Sequence, residues 1–332
     1  MPAPLFWYDP PDKPALVARA LAPFSALYAF ASKIRLSRGS PFKAAVPVIC
    51  VGNINIGGTG KTPTVIALIE RLTAAGHRPH VISRGYGGSL KGPVRVLPES
   101  HQADETGDEP LLLAAFAPVW VAKDRAAGVK SAQDAGADVI VLDDGFQNPA
   151  VEKDVSIVVV DAFRGFGNGR VIPAGPLREP INTGLDRADL LLSIGPPDAQ
   201  EKFHALWPVT LPHLSGQVHP LLTGMPWKGL RVLAFAGIGH PEKFFRTLDM
   251  AGALVVKTHA LEDHEPLTPA LMARLEAEAR AAGAQLVTTE KDAARLPGAF
   301  RAKVLPFPVR LVLDDWTALD AQLQRLGLRS PD

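Results

Sequence analysis

Lys61 and Thr62 close a glycine-rich run from Val51 through Gly52, Asn53, Asn55, Gly57, Gly58, Thr59 and Gly60. A turn of this composition between an apolar strand and an apolar helix gathers backbone N–H groups in front of a helix N-terminus, which suits a polyphosphate. Lys61 is then expected to reach the β- and γ-phosphates, and Thr62 to offer its hydroxyl to Mg²⁺. In the usual G-x-x-x-x-G-K-[ST] spacing the first glycine falls on Asn55, so the match departs there. Pro63 sits in the first helical turn, where its missing N–H does little harm.

Other groups could serve the same chemistry. Ile140, Val141 and Leu142 lead into Asp143 and Asp144, an apolar strand tipped with two carboxylates. Beside a phosphate loop such a tip can hold a metal or its water ligands, and strand alternation lets the two carboxylates face different ways. Asp108 follows Gly107 at the start of an apolar helix; it reads either as an N-cap or as a base aimed at the γ-phosphate region. Arg84 and Tyr86 lie in a glycine-rich loop after a strand, which reads as a crevice lining or as an ordinary turn. Arg125, at a helix start, is either a charge neutraliser or a solvated cation. The glycine- and proline-rich stretch from Gly165 to Glu179 carries Arg178 and is long enough to suggest a substrate-contacting loop. His264 precedes a helix in the second half of the chain, a position that by itself marks a surface or capping group.

The elements that position these groups read as an α/β protein: a P-loop NTPase-like, mostly parallel sheet between helix layers, followed by a smaller α/β domain. Strands are expected near 46–51, 78–83, 94–97, 119–121, 139–142, 155–160 and 190–193, and in the smaller domain near 230–236, 253–257, 285–288 and 304–306. The boundaries are 1–206 for the first domain, 207–228 for a proline-broken, strand-like linker, and 229–332 for the second. With 332 residues, two domains are the prior, and 47% hydrophobic against 21% charged residues excludes a disordered chain. The balance of 35 basic and 34 acidic residues gives no case for a nucleic-acid partner. Cys50 is the one cysteine, which excludes a disulfide framework and a cysteine zinc site. No secretory signal pattern opens the chain, so a cytoplasmic setting is expected.

Charge is uneven along the chain. No Asp or Glu occurs between Lys13 and Ile69, whereas Lys13, Arg19, Lys33, Arg35, Arg38, Lys43 and Lys61 do. Within this stretch, over about 14–36, Val17, Leu21, Phe24, Leu27, Tyr28, Ala31 and Ile34 fall on one helical face. Such a helix either lies on an anionic membrane, where each base contributes roughly 1 kcal/mol, or packs against its own domain. The uncharged run is too short to span a bilayer.

Taken in order and spacing, the phosphate loop, Ser83 to Gly87, Gly107 to Pro110, Asp143 to Gln147, Pro176 to Glu179, Phe235 to Gly239 and Asp263-His264 resemble the tetraacyldisaccharide 4′-kinases of lipid A synthesis. The resemblance runs from the N-terminal helix to about Leu296. It implies an ATP- and Mg²⁺-dependent kinase acting on the 4′-hydroxyl of a lipid A disaccharide 1-phosphate precursor, giving the 1,4′-bisphosphate. It also implies a peripheral position on the anionic cytoplasmic face of the bacterial inner membrane, with the N-terminal helix touching the bilayer. By resemblance Asp108 is the general base paired with His264, Thr62, Asp143 and Asp144 serve the metal, and Lys61 and Arg125 act on the phosphates. Glu109, Gln147, Arg178 and Glu179, with Arg84 and Tyr86, fall where the family contacts substrate. Asn148 departs from the histidine that many members carry. A membrane-associated P-loop switch ATPase is the rival reading, but it requires a lysine where Ile56 stands. A GTPase requires Asn-Lys-x-Asp, and the nearest string, Thr289 to Asp292, has the wrong spacing.

Overall fold

The aliphatic runs at the centre of the larger sheet become fully buried strands. The computed structural model describes residues 3–221, 223–262 and 265–331. Its strands are β1 (Val48–Gly52), β2 (Pro79–Ser83), β3 (Val94–Arg95), β4 (Val119–Val121), β5 (Val139–Asp143), β6 (Val155–Asp161), β7 (Leu190–Ile194), β8 (His213–Pro220), β9 (Arg231–Ala236), β10 (Leu254–Ala260), β11 (Gln285–Thr289), β12 (Val304–Phe307) and β13 (Val309–Leu313). The larger sheet has the order β13-β8-β7-β6-β1-β5-β2-β4-β3. Its inner strands run parallel, and the two edge strands β3 and β13 are antiparallel to their neighbours.

Both faces of this sheet are covered, which is why its central strands carry no polar alternation. On one face Leu68, Ile69 and Leu72 of the Lys61–Ala74 helix pack with Leu319 and Leu323 of the Thr317–Arg325 helix. On the other, Val129, Phe166 and Phe203 form a second core, against which Tyr28 and Ala29 of the Ala22–Ser37 helix rest. The smaller sheet, β10-β9-β11-β12, is parallel throughout and is flanked by the Pro241–Met250 and Pro269–Ala281 helices.

The chain is divided differently from the boundaries read in the sequence. His213–Pro220, inside the expected linker, is β8 of the larger sheet, and the chain returns there as β13, pairing Val309 with Pro220 and Leu313 with Gly216. The C-terminal part of the expected second domain therefore completes the first sheet. Residues 309–313 follow Pro306 and Pro308 in sequence, so local signals assign them to the smaller sheet, whereas backbone pairing joins them to β8.

The N-terminal segment also differs in detail. It is two helices, Leu16–Ala20 and Ala22–Ser37, because Pro23 near the start of the second opens a new helix. Its inward residues are Ala18 on the first helix and Ser25 and Ser32 on the second, while Val17, Phe24, Leu27 and Phe30 are each more than half exposed. Of the expected apolar face, only Leu21, Tyr28 and Ile34 are partly covered. Among the described residues no helix is long and apolar enough to cross a membrane.

Candidate active site

Loops leaving the C-terminal ends of parallel strands face the crevice where such sheets bind ligands. Here β1, β5, β2 and β6 deliver the glycine-rich loop, Asp143, Ser83 and Asp161 to one edge. Gly52 ends β1 where a Cβ would stand 2.4 Å from Phe146 Cβ, so glycine is needed for the turn after β5 to close on the loop. The left-handed positions are Gly57 (φ 105°) and Gly60 (φ 99°), and Asn55 is not among them. That explains how asparagine replaces the usual first glycine. Its Nδ2 instead donates to Gly165 O at 3.0 Å, while Asn53 Nδ2 donates to Thr59 Oγ1 at 3.0 Å and braces the loop from inside. Added Cβ atoms at Gly57 and Gly58 would meet nothing, so this part of the loop borders open space.

A second segment clasps the loop from the side. Ile56 N donates to Pro176 O and Arg178 N to Ile54 O, both at 2.7 Å, forming an antiparallel bridge between Asn55 and Leu177. The segment carrying this bridge is held by the N-terminus: Ser25 Oγ donates to Val171 O at 2.7 Å and accepts from Ala174 N at 3.1 Å. Arg178 is thereby fixed beside the site, where its Nη1 donates to Asp144 Oδ1 at 3.1 Å and Gln147 Oε1 at 3.1 Å. Gln147 Nε2 in turn donates to Asn53 O at 2.7 Å and Glu179 Oε1 at 3.0 Å. Glu179 is buried and its other oxygen accepts from Arg187, whose guanidinium lies over the Phe146 ring. Gln147 and Glu179 thus brace Arg178 from behind. Asn148 caps its turn by accepting from Ala150 N at 2.8 Å.

The paired carboxylates occupy different environments. Asp144 adopts φ 50°, which swings it toward Lys61 Nζ at 3.6 Å and toward Arg178. Burial opposes its ionisation, but Lys61 and Arg178 outweigh burial and hold its pKa below the ordinary value. Asp143 is buried, and its Oδ2 accepts from Ser83 Oγ at 3.0 Å. Burial first, then Glu109 and Asp144, push its carboxyl up to about 7, against Lys61 and the Ser83 hydroxyl. Arg125 is also buried, donates to Ala122 O at 2.8 Å, and interacts with both aspartates. Its Nε has no hydrogen-bond partner among the described residues.

A carboxyl whose folded pKa is raised above its unfolded value destabilises the fold as it ionises. For Asp143 the penalty is absent below about pH 4, grows up to about pH 7, and is full above that. Asp143→Asn is therefore expected to raise Tm at pH 8 in chelator by about 2–6 °C, the gain shrinking toward zero near pH 4. Thermal melts across that range check it, and an unchanged Tm at pH 8 contradicts it.

Asp108 is the first residue of the Asp108–Leu113 helix, and the cap position belongs to Gly107 at φ 89°. The sequence reading of Asp108 as a possible N-cap is corrected accordingly. Its buried carboxylate accepts from Glu109 N at 2.9 Å. Glu109 Oε1 accepts from Thr62 Oγ1 at 3.4 Å, which joins this helix to the glycine-rich loop. Lys291 Nζ, from the Glu290–Ala294 helix that follows β11, lies 3.4 Å from Glu109 Oε1 and 3.9 Å from Asp108 Oδ2. Arg84 and Tyr86 are exposed after β2, and the neighbouring Gly85 packs against Val121 and Thr106. His264 lies outside the described residues.

The structure therefore gathers Lys61, Thr62, Glu109, Asp143, Asp144, Arg125, Gln147, Arg178 and Asp108 at one strand edge. Sequence reasoning missed Ser83, Arg187 and Lys291 as partners in this network. Lys291 lies in the Thr289–Asp292 string, which in sequence reads only as a mis-spaced guanine motif, and nothing local singles out Arg187. Thr62, Asp143 and Asp144 offer hard oxygen donors, which suit Mg²⁺ held by one or two carboxylates together with phosphate oxygens. Among the described residues no group of three or more His, Cys, Asp or Glu side chains could form an all-protein cage.

Residues 17–327 match the family described as tetraacyldisaccharide-1-P 4′-kinase. A tetraacyldisaccharide 4′-kinase of Dinoroseobacter shibae is 63% identical over 329 residues, covering 98% of each chain. One from Jannaschia sp. is 56% identical over 328 residues, 98% of this chain and 99% of the other. A crystal structure described as "apo" form LpxK from Aquifex aeolicus in complex with ATP aligns with a TM-score of 0.74. It is 26% identical and covers 94% of this chain and 99% of that one.

Proposed function

The chain belongs to the tetraacyldisaccharide 4′-kinase family, and from that premise we propose how its own residues carry out the reaction. It transfers the γ-phosphate of ATP to the 4′-hydroxyl of tetraacyldisaccharide 1-phosphate, a step of lipid A biosynthesis. The observation that carries the reading is the single crevice edge where the glycine-rich loop, Lys61, the two aspartates and Asp108 meet.

Asn55, Gly57, Gly58, Thr59, Gly60, Lys61 and Thr62 cradle the triphosphate with backbone N–H groups and the Lys61 ammonium. Thr62, Asp143 and Asp144 would hold Mg²⁺, which when bound would supply neutralisation of the triphosphate's charge. Phosphoryl transfer asks little covalent chemistry of a protein, so positioning and charge stabilisation dominate. Lys61, Arg125 and Arg178 face the negative charge that spreads over the transferring group. Asp108 takes the proton of the sugar hydroxyl, with His264 as its orienting partner. Arg84, Tyr86 and Glu109 line the acceptor side, and Gln147 and Glu179 act on it through Arg178, which they brace.

The same proposal places the protein peripherally on the cytoplasmic face of the inner membrane. Val17, Phe24, Leu27 and Phe30 are exposed among Arg19, Lys33, Arg35 and Arg38, the pattern of a helix that beds its apolar side into an anionic surface. The smaller α/β unit then closes over the crevice edge rather than over the membrane-facing helix.

The deciding experiment is a labelled-ATP assay with tetraacyldisaccharide 1-phosphate, presented in detergent micelles and in anionic vesicles. Acceptor-dependent transfer, faster on vesicles, is the expected result. ATP turnover indifferent to the acceptor would instead favour a switch ATPase, a reading already weakened by Ile56.

A further inference from the structure

Lys291 is mounted more rigidly than an incidental surface lysine. It belongs to the short Glu290–Ala294 helix that follows β11, and the side chains on both sides of it are committed elsewhere. Asp292, wholly buried, accepts from Gly237 N at 3.0 Å and from Arg295 Nε at 3.0 Å, and its N–H donates to Thr289 Oγ1 at 3.1 Å. Glu290 accepts from Arg310 Nη1 at 3.0 Å and from Val309 N at 3.2 Å. The backbone of residue 291 is therefore held from two directions, and its largely covered ammonium reaches across to the Asp108–Leu113 helix.

There it meets two carboxylates in adjacent positions, Asp108 and Glu109. Like charges so placed repel, and each must still keep its own geometry, Glu109 against the Thr62 hydroxyl and Asp108 toward the crevice. On the other side of the site Lys61 and Arg178 already serve Asp144.

We propose that Lys291 is a positioning residue for phosphoryl transfer: its ammonium holds the Asp108 and Glu109 carboxylates in register with Thr62, so the base is aligned only while the smaller unit is docked. The inference rests on the kinase reading above. Alignment of the base acts on the transfer step and not on nucleotide capture, because the triphosphate cradle lies wholly in the larger unit.

A second lysine makes the test selective. Lys243 of the Pro241–Met250 helix also crosses from the smaller unit, pairing with Asp161 at the end of β6. A docking contribution alone would be shared by both lysines, whereas carboxylate positioning belongs to Lys291. The experiment measures kcat, the KM for ATP and Tm with the disaccharide acceptor for wild type, Lys291→Met, Lys291→Arg and Lys243→Met. Lys291→Met is expected to lower kcat about 10–100-fold with the KM for ATP within about threefold of wild type. Lys291→Arg should recover most of the loss, and Lys243→Met should stay within about threefold of wild type. Lys291→Gln carries the same expectation as Lys291→Met should the methionine variant melt early. Wild-type kcat in the uncharged Lys291 variants overturns the proposal, as do equal losses in the Lys291 and Lys243 variants or failure of arginine to rescue. A wild-type protein that does not phosphorylate the disaccharide overturns the kinase reading itself, and the proposal with it; that result is read in the wild-type arm alone.

Discussion

Asp108→Ala is expected to lower kcat by about 10²–10⁴-fold while the KM for ATP changes little, the signature of a group needed for proton removal and not for nucleotide capture. The geometry supports a split of that kind. Asp108 is buried on a helix of its own, which is joined to the phosphate loop through Glu109 and Thr62, so its loss is expected to leave the triphosphate cradle intact. Asp108→Asn sharpens the test. An amide oxygen can still accept from Glu109 N but has no useful basicity, so a loss similar to that of alanine assigns the effect to the proton. Near-wild-type turnover in either variant removes Asp108 from the role. Steady-state kinetics with saturating acceptor are sufficient to decide.

Lys61→Ala should behave differently, raising the KM for ATP and lowering kcat together, with kcat/KM down by roughly 10³-fold or more. Lys61 stands at the first turn of its helix, its ammonium mostly covered and 3.6 Å from Asp144. On the proposed reading it would meet the phosphates in the ground state and in the transition state alike. The substitution should not unfold the site, because Arg178 continues to hold Asp144. Equilibrium binding of nucleotide alongside kinetics checks both halves. Unchanged nucleotide affinity would mean that the ammonium serves Asp144 and not the phosphates.

Much of this architecture is legible in the residues because strands buried on both faces announce themselves. Val155–Asp161 and Val139–Asp143 carry β-branched or aliphatic runs, broken only at Ser156 before the terminal carboxylates, and the expected bounds fall within a residue of those observed. The chemistry at their tips is legible for the same reason, since Asp143 and Asp144 end such a run immediately after it leaves the core. What escapes local reading depends on partners distant in the chain. β8 is interrupted by Gly216 and bounded by Pro212 and Pro220, and only its pairing with β7 and β13 makes it a strand. The Pro197–Leu206 and Thr317–Arg325 helices are short and bury only two or three side chains each, so they offer few apolar positions to read. The N-terminal face was legible as amphipathic, but its direction was not. Small hydroxyl residues, Ser25 and Ser32, turn inward, and Ser25 does so to bond the backbone of Val171 and Ala174. Lys291 carries no sequence signal at all, because its meaning lies in a contact with carboxylates on another sheet's helix.

The pairing of Val309 with Pro220 has a mechanical consequence. The polypeptide leaves for the smaller sheet and comes back from it at neighbouring points on one seam, so that lobe hangs like a door from a single jamb. Any swing must bend at this pivot; Lys291 reaches across from a helix whose Glu290 is tied to the pivot through Val309 N and Arg310, and Lys243 reaches across separately to Asp161.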